Sequence, residues 1–158
     1  MKFSAYAAAA LIGLAPLPAI AATTTIHVRL WDKGIDPNPD MKLGMDMGGK
    51  ISDATMGLKV DKTTIPSGKV VFEVVNTSKE TTHEMIVVAL KDTKSSLPYS
   101  DNENRINEDA AGSLGEVSEL DPGKSGTLTL DLKPGRYVVF CNVPAHYMNG
   151  MWQTIDVK

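Results

Sequence analysis

From Thr24 onward, hydrophobic and polar residues alternate with a period of two in one short segment after another. Ile26, Val28 and Leu30 share a face over residues 24–31, which puts His27 on the opposite face. Met56, Leu58 and Val60 repeat the pattern, and Val70, Phe72 and Val74 repeat it again inside a β-branched run. Over residues 82–90 both faces are apolar: His83, Met85 and Val87 on one, Ile86 and Val88 beside Glu84 on the other. A strand apolar on both sides belongs in the middle of a sheet. Leu128, Leu130 and Leu132 alternate with Thr127, Thr129 and Asp131, residues 136–140 form another β-rich run, and Ile155 and Val157 pattern the last segment, 152–157. Turn residues separate these runs at Asp61-Lys62, Pro66-Ser67-Gly68, Asp121-Pro122-Gly123 and Lys133-Pro134-Gly135. Seven or eight short strands with such turns predict an all-β, antiparallel sandwich.

Two stretches break the rhythm. Residues 32–54 are rich in Gly, Pro and Asp and show no period, so they read as a long irregular excursion. Residues 91–116 read as a surface insertion with few apolar positions, holding a short helix over 102–111 with Asp101 as its cap and Gly112 as its stop. Leu114, Val117 and Leu120 then predict a short edge piece.

The first residues belong to a different class of segment. Lys2 supplies a positive start, residues 5–20 are mostly apolar or small, and Ala19-Ile20-Ala21 offers a small-residue exit. This predicts a signal peptide over residues 1–22, cleaved near Ala21 or Ala22. A periplasmic protein with no membrane insertion after cleavage is expected, because Pro16, Pro18 and the shortness of the run argue against an anchor. The remainder divides into residues 23–55, the first strand and the excursion, and residues 56–158, the core of the same domain. The net charge of −3 becomes −4 once Lys2 is removed, and no basic cluster stands against that acidity, so a nucleic-acid partner is not expected.

The chemistry concentrates in residues 141–151, Cys-Asn-Val-Pro-Ala-His-Tyr-Met-Asn-Gly-Met. Cys141, the chain's one cysteine, is followed by His146 and Met151 at spacings of five, on a loop whose ends are held by two strands. A thiolate, an imidazole and a thioether belong to the His₂Cys site with a weak axial Met that defines type 1 copper. That set lacks one imidazole, and His83, at the start of a strand, is the candidate to supply it. A lone thiol in an oxidising compartment is also protected when a metal occupies it. A buried inert cysteine is the plain alternative. Structural zinc prefers four Cys or His ligands, and a Cys141–His146 nucleophilic dyad leaves Met151 unexplained. Outside the loop, Met41, Met45 and Met47 lie where no core pattern exists, and soft thioethers suit Cu(I). With His27 they suggest a second copper site.

Three stretches together resemble the cupredoxins: the 141–151 loop followed by Trp152, the preceding Leu-Lys-Pro-Gly-Arg-Tyr, and the upstream Thr-His-Glu-Met-Ile-Val-Val. The likeness is nearest to plastocyanin-like periplasmic members associated with copper tolerance and covers residues 56–158. It implies a Greek-key sandwich and one type 1 copper held by His83, Cys141, His146 and Met151. It also implies a non-enzymatic redox role, in electron transfer or copper tolerance, with Cu(I) oxidation as the one activity left open. The edge of His146 would reach the surface, and Pro144, Ala145, Tyr147 and Met148 would form an apolar patch where a redox partner docks. A monomer is expected. A copper-sequestering or Cu(I)-handling protein with a second, Met-rich site and no dedicated electron-transfer partner is the alternative. Glu84 stands where many cupredoxins have Asn, and the excursion 32–54 has no counterpart in the simplest members.

Overall fold

The computed structural model describes residues 22–91 and 96–158; the expected leader, apart from Ala22, lies outside them. Among the described residues eleven strands form, three of them only two residues long. A four-stranded sheet has the order β2-β1-β4-β9, from β1 (Thr24–Asp32), β2 (Met56–Val60), β4 (Gly68–Asn76) and β9 (Ser125–Leu132). A five-stranded sheet has the order β3-β11-β10-β5-β8, from β3 (Thr64–Ile65), β5 (His83–Leu90), β8 (Ser113–Leu120), β10 (Gly135–Phe140) and β11 (Trp152–Val157). The sandwich is as expected, but its sheets are mixed, not antiparallel. β1 runs parallel to β4, with Ile26 opposite Phe72, and β11 runs parallel to β3. Parallel neighbours need long crossovers, and the excursion with β2 and β3 provides one between β1 and β4.

Two apolar clusters sit on opposite faces of the five-stranded sheet. Ile26, Val28, Leu30, Val70, Phe72 and Val74 meet Met85, Val87, Val139 and Ile155 between the sheets. Each such side chain contributes about 1.5–3 kcal/mol by leaving water. Ile86, Val88, Val138 and Phe140 point the other way, where Leu97, Ile106, Met45, Tyr147 and Met148 cover them. This second layer is why β5, in the interior of its sheet, is apolar on both faces.

The insertion differs from expectation. Residues 102–111 do not form one helix. A small hairpin, β6 (Tyr99–Ser100) with β7 (Arg105–Ile106), comes first, and the helix α1 is confined to Glu108–Ala111. Asp101 lies in the hairpin turn; the side chain of Asn107 caps the helix instead, accepting from the Ala110 N–H, and Gly112 ends it in the left-handed region as expected. Leu97 and Ile106 are buried, so the insertion contributes to the core after all. β8 lies at the sheet edge, as expected, but is eight residues long.

Candidate metal centre

β10 delivers Cys141 immediately past its last residue, and β11 begins at Trp152, so the ligand loop closes between two paired strands, with Phe140 opposite Trp152. Backbone bonds tie the loop to itself. The Cys141 N–H donates to the Met151 carbonyl at 3.0 Å, and the Met151 N–H donates to the His146 carbonyl at 3.2 Å. A short 3₁₀ turn over Tyr147–Asn149 ends at Gly150, whose φ of 99° suits glycine. A Cβ there would also lie 3.0 Å from Ala54 and from Ile51, so the excursion closes on the loop at this point.

His83, the first residue of β5, comes to the loop from the neighbouring strand. The ligand-type atoms of His83, Cys141 and His146 all lie within 4.8 Å of one another, and all three residues are buried. The two Nδ1 atoms are 3.1 Å apart, and Cys141 Sγ lies 3.4 Å from His146 Nδ1. The donor chemistry fits copper: two imidazole nitrogens and one thiol converge on one point. Met151 is fully buried in the same core cluster as Cys141.

The surroundings keep this set neutral before metal binds. Burial, with the charges of Glu84 and Glu119, pushes the Cys141 thiol up to about 12, against the opposing N–H groups of Glu84 and Val143. Burial and the neighbouring His83 push His146 down to about 4. His83 is also lowered by burial, although Asp32 opposes this. A bound divalent cation reverses the thiol's preference by replacing its proton.

Two segments clamp the loop from either side. On one side, Asn142 donates its backbone N–H to Glu84 Oε1 at 3.1 Å, its Oδ1 accepts from the Ile106 N–H at 2.7 Å, and its Nδ2 reaches Glu108. The Ala145 N–H bonds to the Asn104 carbonyl at 2.7 Å. On the other side lies the excursion. Leu43 N–H bonds to the Met148 carbonyl, Met45 N–H to the Tyr147 hydroxyl, and Trp152 Nε1 to the Leu43 carbonyl. Gly44 lies so close to Tyr147 that a Cβ would stand 2.7 Å from the ring.

This clamping corrects two expectations. His146 is only 2% exposed, and Ala145, Tyr147 and Met148 are buried, so they form no open docking patch; only Pro144 is exposed. The excursion occupies the surface where the patch was expected. The four residues proposed for a second copper site are not brought together either. His27 lies on the outward face of β1, held by Asp61 at 2.8 Å and Glu73 at 3.3 Å, whereas Met45 is buried against Tyr147 and Met148, and Met47 packs on that cluster. One neighbouring carboxylate has no signal in the sequence: Asp32, at the end of β1, has a side chain only 4% exposed, with Oδ2 3.0 Å from His83 Nε2. Nothing local marks it, because its partner is 51 residues away.

A β-sandwich carrying a buried His-Cys-His set on the loop between its last two long strands defines a mononuclear copper protein of the cupredoxin class. Residues 45–158 match the family described as copper binding proteins, plastocyanin/azurin family, and the chain belongs to that family. His83, Cys141 and His146 are accordingly arranged as a type 1 copper site. Among solved structures, the fold is similar to rusticyanin from Thiobacillus ferrooxidans, with a TM-score of 0.58 and 18% identity over 86% of this chain and 77% of that one. It is also similar to a dithionite-reduced auracyanin from Roseiflexus castenholzii (TM-score 0.51, 23% identity, 86% and 96% covered) and to auracyanin B (0.55, 20%, 92% and 93%). A comparison with curated protein sequences finds no match. No helix among the described residues is long and apolar enough to cross a membrane.

Proposed function

We propose that this is an exported, periplasmic redox protein in which His83, Cys141 and His146 hold one copper ion, with Met151 as the weak axial ligand. The observation that carries the reading is the convergence of those three ligand atoms within 4.8 Å in a buried pocket. Copper bound in such a set exchanges one electron between Cu(II) and Cu(I). The chain's part is to hold the ligands still. Backbone bonds fix Cys141 to Met151 and Met151 to His146, and the insertion and excursion brace the loop from both sides. A braced loop leaves little room for the ligands to rearrange when the charge changes. Titration with Cu(II) tests the reading. One equivalent is expected to produce an intense thiolate-to-copper absorption band that Cys141→Ser abolishes. A wild-type protein giving no such band would refute it.

Copper tolerance is the second reading, and the burial of His146 favours it. A carrier docking a partner is served by an exposed ligand edge, whereas here three methionines, Met45, Met47 and Met148, pack beside a covered site. A strain lacking the protein is then expected to grow poorly in added copper. Normal growth in copper would leave electron transfer as the role.

A further inference from the structure

His83 has two ring nitrogens with different tasks. Nδ1 faces His146 and Cys141, while Nε2 faces Oδ2 of Asp32 at 3.0 Å. The Asp32 side chain is only 4% exposed and is itself held from several directions. Ser78 donates its hydroxyl to the same Oδ2, and the Gly34 N–H donates to Oδ1 at 2.7 Å. Ser78 in turn is fixed by its N–H to Oδ1 of Asn76, a fully buried residue whose Nδ2 bonds to the Thr81 and Leu120 carbonyls. A continuous chain of hydrogen bonds therefore runs from Asn76 through Ser78 and Asp32 to His83. An ionised carboxylate only accepts hydrogen bonds, so the shared proton belongs on Nε2, and the lone pair of Nδ1 is left facing the other two ligands.

We propose that Asp32 is a positioning residue of the copper centre: it fixes His83 as the Nε2–H tautomer and, by its buried negative charge, favours the oxidised over the reduced ion. The proposal rests on the reading of His83 as a ligand. Carboxylates that accept from a ligating histidine orient the ring and raise its basicity, and losing one typically costs 10–100-fold in metal affinity. Asp32→Asn keeps the shape and an acceptor but removes the charge. Its Cu(II) affinity is expected to fall by about 10–100-fold with a smaller change for Cu(I). The reduction potential then rises by about 59 mV for each tenfold change in that ratio. Ser78→Ala is expected to act in the opposite direction, since a carboxylate relieved of one donor is a stronger acceptor for His83. A general loosening of the site would move both variants the same way.

The experiment combines redox titration of copper-loaded wild type, D32N and S78A with ¹⁵N NMR of the His83 ring in the metal-free proteins. Support consists of an Nε2–H ring in wild type, a changed tautomer population in D32N, and potentials shifted in opposite directions. Should D32N fail to fold, the wild-type tautomer and the S78A potential decide. A wild-type thiolate-to-copper band with an unmoved D32N potential would overturn this proposal alone. Absence of that band in wild type would overturn the ligand reading and this proposal with it.

Discussion

Asn38 and Asn149 face each other where the excursion meets the ligand loop. The Asn38 N–H donates to Oδ1 of Asn149 at 3.1 Å, and Nδ2 of Asn149 donates back to the Asn38 carbonyl at 2.8 Å and to the Ala145 carbonyl at 2.9 Å. Two of these bonds join a segment with no strand of its own to the loop that carries His146, and the third braces that loop internally.

Replacing Asn149 with alanine removes all three. Leaving buried backbone partners unsatisfied costs about 1–3 kcal/mol each, and two of the three losses fall on the contact between excursion and loop. Copper-loaded N149A is expected to surrender its metal to a chelator faster than wild type, about tenfold for each 1.4 kcal/mol by which opening becomes easier. Stopped-flow chelation reads this rate. An unchanged rate in a destabilised variant would mean that copper leaves by a route the excursion does not cover.

Tyr147→Phe isolates a second tie between the same segments. The hydroxyl accepts the buried Met45 N–H at 3.0 Å, while the ring packs on Phe140 and Tyr99. Phenylalanine keeps the packing and orphans the N–H, at a cost of about 1–3 kcal/mol. Urea unfolding is expected to show a lower midpoint with an unchanged m-value. A neutral outcome would indicate that Met45 N–H finds another partner.

These ties show where the sequence was readable and where it was not. Period-two alternation located the long strands because one side of each faces a packed core: Ile26, Val28 and Leu30 are buried as their spacing implied. The ligand loop was legible because Cys141, His146 and Met151 are near in sequence, and His83 followed from the imidazole the loop lacked. The parallel pairs were hidden, because alternation fixes which face is buried and not which neighbour lies alongside. The cover over His146 was hidden for a related reason. Asn38, Leu43 and Met45 act through partners more than a hundred residues away, and their own neighbourhood of Gly, Pro and Asp carries no period. Residues 102–111 misled because Asn107, the true cap, sits inside what reads as one polar helical run.

Glu84 gives the metal-free protein a pH dependence with a definite sign. Burial, and then the charges of Glu108 and Glu116, push its carboxyl up to about 7 from 4.5, against the Asn142 N–H that it accepts. In the unfolded chain it titrates near its ordinary value. Between these two values the native state binds more protons than the unfolded state, so stability falls as pH rises through the window and then levels off. The contribution is on the order of 3 kcal/mol. Glu84→Gln retains an acceptor for Asn142 and removes the titration. The variant is expected to match wild type near pH 4 and to exceed it in stability near pH 8, by urea unfolding at each pH. A constant difference across the range would rule out Glu84 as the source.

The thiol and the two histidines together fix how many protons metal binding displaces. With Cys141 pushed up to about 12, His146 down to about 4 and His83 also lowered, neutral solution holds the set as one protonated thiol and two neutral imidazoles. Such a thiol is both inaccessible and almost wholly unionised, so a disulfide reagent is expected to modify Cys141 slowly in native metal-free protein and rapidly in denaturant. Ligation by both imidazoles takes no proton away, and ligation by the thiol takes one. Uptake of Cu(II) in weakly buffered solution near pH 7 is therefore expected to release about one proton per copper, read by a pH indicator or from the buffer dependence of the calorimetric heat. Release of two would show that one imidazole is protonated beforehand. Release of none would mean that the thiol is not a ligand, and the copper assignment would lose its strongest donor.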